Sequence, residues 1–188
     1  MMLALPFAVD PVLSHALGAT LSVVLISGAW QKLWEHEEFA ATLENYRLLP
    51  ASLVNLMAWL LPLVEGMAGV MLLFAATRLP AAWLALALLL LVTAAVTINL
   101  ARGDADIDCG CGGLAGAIGE QRISWGLVAR NLVVISAIPW IAADSATRDL
   151  VWVDYLTVAA ATLALLFLYA LVSQLLATQP RLAALRSQ

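Results

Sequence analysis

Five separate blocks of this chain are apolar over a length that crosses a bilayer, and that feature leaves few folds open. They run from about Val12 to Leu33, Leu53 to Thr77, Pro80 to Leu100, Ile123 to Ala143 and Val151 to Leu176. At about 1.5 Å of rise per helical residue, each reaches the ~30 Å of a hydrocarbon core. The apolar residues come in long runs rather than in alternation with polar ones. In lipid each such run must satisfy its own backbone N–H and C=O groups, which a helix does. The fold expected is therefore all-α: a polytopic membrane helix bundle of about five transmembrane helices, one integral membrane domain over residues 1–188. Composition agrees, because only 12% of residues are charged and 63% are hydrophobic, whereas a soluble domain carries roughly a quarter charged residues. The net charge of −4 and the lack of any run of Lys and Arg exclude a nucleic-acid surface. The opening MMLALPFAVDP has no basic residue ahead of its apolar stretch and is not expected to be a cleaved signal peptide.

The connections carry the next layer of information. Arg78-Leu79-Pro80 and the segment Asp144 to Asp149 are short links, which make the helices they join antiparallel neighbours. The stretches Trp34 to Ser52 and Ala101 to Arg122 are longer than a turn requires. Most of the seven tryptophans lie near block ends, where amphipathic rings favour the membrane interface. Lys32, Arg47, Arg102, Arg122, Arg181 and Arg186 fall on one side of a five-helix arrangement, with Arg78 and Arg148 on the other. By the positive-inside rule that bias puts the third connection in the cytoplasm.

That third connection, residues 101–122, reads ARGDADIDCGCGGLAGAIGEQR and holds both cysteines, Cys109 and Cys111, with six of the eleven glycines. A disulfide across Cys-x-Cys closes a very small ring, and strained disulfides are easily reduced. The pattern suits an exchanging redox pair better than a structural staple, and two inert thiols in an interfacial loop are the plain alternative. Two sulfurs alone leave a tetrahedral zinc site half built, and His15 and His36 are far away in sequence. A soft ion needing few ligands, such as copper(I), stays compatible, and no metal is assigned. Asp104, Asp106 and Asp108 alternate as in a calcium loop, but the sixth and twelfth positions are Cys109 and Ala115 instead of Gly and Glu.

Two ionisable residues fall inside apolar blocks. Glu65 sits in LPLVEGMAGV, with Gly69 one turn on along the same face. A lone carboxylate at that depth costs several kcal/mol, so Glu65 is expected to turn into the bundle toward Lys32, Arg130 or a hydroxyl. Its role is a buried polar clamp or a proton-handling carboxylate. Arg130 precedes Asn131 about two turns inside the fourth block. It is expected to snorkel toward the cysteine loop, either as an interfacial anchor or as a cation that stabilises a thiolate or an anionic quinone intermediate.

These residues carry a family resemblance over nearly the whole chain. Gly28 with Gln31-Lys32-Leu33, then Glu65-Gly66 and Thr77-Arg78, resemble the DoxX-type membrane proteins. Asp108-Cys109-Gly110-Cys111-Gly112-Gly113, followed by Trp125 and Arg130-Asn131, resembles the MauE branch. The resemblance implies a DoxX-like four-helix core plus one helix, in a bacterial inner membrane. It implies maturation of methylamine dehydrogenase, whose periplasmic small subunit carries many disulfides and a tryptophan tryptophylquinone. The partner it implies is a thioredoxin-like MauD-type protein, with the small subunit as indirect client and quinone as a candidate electron acceptor. The role expected is thiol–disulfide exchange through Cys109 and Cys111; the alternative is a non-catalytic scaffold with structural or metal-binding thiols. Because disulfides exchange in oxidising compartments, this reading faces the cysteine loop to the periplasm, against the cation count.

Overall fold

The computed structural model describes residues 9–104, 107, 109, 110, 122–143 and 150–186, with side chains described as far as Thr178. The elements in order are α1 (Pro11–Trp34), α2 (His36–Asn45), α3 (Ala51–Leu72), a 3-10 turn (Ala75–Thr77), α4 (Arg78–Arg102), α5 (Trp125–Ala142) and α6 (Trp152–Arg186). Among the described residues no strand forms, and five helices are long and apolar enough to cross a membrane. The chain is a multi-pass membrane protein.

Local chemistry sets the helix ends. The Asp10 carboxylate accepts from the Val12 N–H at 2.8 Å, and Pro11 opens α1, where its missing N–H costs nothing. Gly103, at φ 87°, closes α4 in the left-handed conformation. Ser124 caps α5 by accepting from the Leu127 N–H. The link read from sequence at Arg78-Leu79-Pro80 lies earlier in the structure, over residues 73–77, and α4 already begins at Arg78. Proline is tolerated in a first helical turn, so Pro80 does not delay the helix. The Thr77 hydroxyl instead ends α3 by donating to the Met71 carbonyl at 2.7 Å.

Four helices close a ring in which α1 packs on α3, α3 on α4, α4 on α5 and α5 back on α1. The fifth spanning helix, α6, lies outside this ring, against α1 and more lightly α5. This is the four-plus-one arrangement the resemblance implied. The outer face suits lipid: all seven tryptophans are exposed, as are many Leu, Val and Phe side chains. At the end reached by the C-terminus of α1, the short α2 packs on α3 and α1. Its His36 stacks on Trp59 with ring centroids 4.2 Å apart.

The tightest helix contact is α1 on α3. A Cβ on Gly66 would sit 3.3 Å from the Ala29 Cβ. One on Gly69 would sit 2.8 Å from Ile26 Cγ1 and 3.1 Å from the Ser22 carbonyl oxygen. The Ser22 hydroxyl donates to the Gly69 carbonyl at 2.7 Å, locking the pair. In a membrane, close backbone approach and interhelical hydrogen bonds do the work that apolar burial does in water. Ile26 can shift by rotation, but the Ser22 backbone cannot. Gly69→Ala is therefore expected to destabilise the bundle by about 1–3 kcal/mol, read as a lower thermal midpoint in detergent; an unchanged midpoint would refute this packing.

Candidate functional site

Cys109 is buried, with 5% of its surface exposed, and is disulfide-bonded. The other cysteine, Cys111, lies outside the described residues, as do Asp106, Asp108 and the loop glycines Gly112, Gly113, Gly116 and Gly119. Cys109 packs among Tyr46, Val96, Ile123, Leu127 and Val128, against the ends of α4 and α5. The Ile123 N–H donates to the Ile107 carbonyl at 3.0 Å, joining the segments on either side. Gly110 has φ 61°, and a Cβ there would come within 3.0 Å of Thr42 Cγ2. At this position glycine meets both demands, the left-handed backbone and the close approach of α2.

Helix α2 is thus a cover over Cys109. The phenolic Oη of Tyr46, just past its end, donates to the Cys109 carbonyl at 3.2 Å. Loss of such a bond costs about 1 kcal/mol, roughly a fivefold change in an opening equilibrium. Tyr46→Phe is therefore expected to speed reduction of the Cys109 disulfide by a small phosphine severalfold, followed by alkylation against time. A rate equal to wild type would mean that this tie does not hold the cover.

Behind Cys109 the bundle holds a partly open cavity of about 310 Å³. Its walls are mainly Leu, Val and Met side chains of α1, α3 and α4, and Cys109, Gly110, Tyr46, Lys32, Glu65 and Arg130 face the same space. Glu65 meets the sequence expectation of an inward carboxylate: it accepts from the Lys32 ammonium in an ion pair, with the two side chains 16% and 12% exposed. Lys32 also lies 5.6 Å from the centre of the Phe39 ring of α2. Lys32, counted above among the cations of one side and also offered as a partner for Glu65, lies within α1. The antiparallel register that sets Ala29 against Gly66 carries it deep beside α3. It is a cation of the site and drops out of the topology count.

Arg130 also departs from expectation. It is 8% exposed, and it turns toward α6 instead of reaching for the membrane surface. Its Nη1 donates to Ser173 Oγ at 3.0 Å and its Nη2 to Asn131 Oδ1 at 3.2 Å. The Tyr169 ring centre lies 5.0 Å away. Asn131 in turn donates to the Thr93 hydroxyl of α4 at 3.3 Å. The cause is that hydroxyl and amide partners inside the bundle are nearer than water, so the guanidinium is solvated by the protein.

Cys109, Glu65 and Arg130, three of the four residues singled out from the sequence, therefore face one cavity. Sequence reasoning missed α2, Tyr46, Tyr169 and Ser173. A signal for α2 existed, since Phe39, Leu43 and Tyr46 recur at helical spacing within a polar stretch. Tyr169 and Ser173, one turn apart, put two hydroxyls on one face of a mainly apolar stretch of α6.

Comparison with known proteins places the chain among related sequences. The family model described as methylamine utilisation protein MauE matches residues 10–144. The methylamine utilization protein MauE of Paracoccus denitrificans is 36% identical over 130 residues, covering 68% of this chain and 67% of that protein. No solved structure matches. The matched residues include the four-helix ring and α2 and stop short of α6.

Proposed function

Since the chain belongs to the MauE family of methylamine utilisation proteins, we propose that it works in that system as a membrane thiol–disulfide exchanger. In this reading it oxidises a thioredoxin-like, MauD-type protein, which in turn forms disulfides in the small subunit of methylamine dehydrogenase. The observation that carries the reading is a disulfide-bonded Cys109 at the end of a membrane bundle, covered by α2 and backed by a charged cavity. A structural staple would have little need of such surroundings.

The exchange balances without a further reactant. A partner thiolate attacks one sulfur of the Cys109–Cys111 disulfide and forms a mixed disulfide. The partner's second thiolate then attacks its own sulfur in that bond and releases the dithiol of this chain. Two electrons pass from partner to membrane protein. Thiol exchange depends on which sulfur can be reached. With Cys109 buried, the partner's attack falls on Cys111. The cysteine end faces the periplasm of the inner membrane in this reading, where a disulfide-forming partner works. With Lys32 paired inside the bundle, the opposing cation count weakens to five against two.

The test is trapping in intact cells. The oxidised wild-type chain, co-expressed with a partner retaining only its attacking cysteine, should accumulate a mixed disulfide that peptide mapping places on Cys111, and Cys111→Ser, which has no disulfide to attack, should form none. Cys111, once reduced, should react with a membrane-impermeant maleimide added outside. No trapped species, with the pair held in one redox state whatever the partner, would leave a scaffold. Labelling only after lysis would overturn the periplasmic placement.

A further inference from the structure

Renewal of the disulfide needs an acceptor for two electrons, and the cavity beside Cys109 has the character of a site for one. Its volume of about 310 Å³ lies in the range of small-molecule sites, and apolar walls with a few convergent polar groups are their usual lining. Among the described residues three charged side chains face it, of which Lys32 and Glu65 neutralise each other. Arg130 is different. Among the described residues no carboxylate pairs with it, its contacts are neutral groups, and its Nε has no hydrogen-bond partner. A guanidinium more than nine-tenths buried in a membrane bundle without a counter-charge is costly. A molecule that enters neutral from lipid and gains negative charge on reduction would offset that cost in its reduced form. Cys109 shares the same cavity wall.

Resting on the exchange reading above, we propose that this cavity binds a lipid-soluble quinone, which reoxidises the cysteine pair. The Cys109–Cys111 dithiol gives up two electrons and two protons and forms its S–S bond. The two quinone carbonyls take up those electrons and protons and become the hydroxyls of the hydroquinone. Arg130 holds the anionic oxygen of the half-protonated intermediate, and Ser173 and Asn131 position the guanidinium.

The experiment uses the purified full-length chain in lipid nanodiscs with decylubiquinone as probe. The phosphine-reduced and desalted chain should lose two thiols for each quinone reduced, without any partner present. Binding is read separately by calorimetry on Cys109→Ala/Cys111→Ala, which cannot turn over. Arg130→Gln should weaken that binding about tenfold or more, Arg130→Lys less, and Ala95→Phe, which fills the cavity, should block it. Decylubiquinone that fails to bind, that binds Arg130→Gln and Ala95→Phe as it binds the parent, or that is displaced equally well by oleate overturns the proposal. Partner exchange is assayed on the same preparations. Exchange without quinone reduction sinks the quinone site alone, and quinone reduction without exchange upholds the site and sinks the partner reading.

Discussion

Cells that carry Cys109→Ser or Cys111→Ser in place of the wild-type chain are expected to lose active methylamine dehydrogenase by two orders of magnitude or more, with the small subunit left partly reduced. A disulfide exchanger is a unit: one sulfur alone can form a mixed disulfide but cannot resolve it. The double substitution should therefore cost no more than either single one, the non-additivity seen when residues act together. Protein level separates this from misfolding. Cys109 is packed among Tyr46, Ile123 and Leu127, so Cys109→Ser carries a packing cost that Cys111→Ser controls for. Quantifying the enzyme and its small-subunit thiols against membrane-chain abundance checks the prediction. Near-normal enzyme in Cys111→Ser would end the exchange reading.

The second large effect concerns the ion pair. Either Lys32→Met or Glu65→Leu is expected to lower bundle stability by about 3 kcal/mol or more, because each leaves one charge facing the cavity unpaired. The double substitution should recover much of the loss, since an apolar pair of similar bulk replaces a desolvated one. Thermal unfolding of the four variants in detergent gives the coupling directly. Equal midpoints for the single and double variants would show that water already solvates these groups. If stability recovers in the double variant but exchange does not, the carboxylate handles protons as well as holding α1 to α3.

The spanning helices were legible in the sequence because their length and unbroken apolarity are demanded by the bilayer, and four of the five lie within a few residues of their blocks. Start Arg78 of α4 was misplaced by only two residues, where proline was given too much weight as a breaker. Register and rotation were far less legible. In lipid both faces of a helix are apolar, so nothing in the Leu and Ala of α1 says that Ala29 meets Gly66, whereas the charge of Lys32 already made it a named partner for Glu65. Glycines at 66 and 69 mark the contact face without naming its partner. Glu65 and Arg130 stood out because a charge in an apolar block needs a reason. Ser173 and Tyr169 did not, because one hydroxyl in a membrane helix needs none.

The position of α6 outside the ring has a consequence for biogenesis. Spanning helices enter the bilayer first and associate afterwards. Synthesis delivers α6 only after α1, α3, α4 and α5 are in the membrane, and until it docks the Arg130 guanidinium lacks the Ser173 hydroxyl and the Tyr169 ring. The nascent bundle therefore holds an undersolvated cation that only the late-arriving helix can quiet. A membrane quality-control protease that recognises exposed intramembrane charge would distinguish the unfinished chain from the finished one by that single side chain.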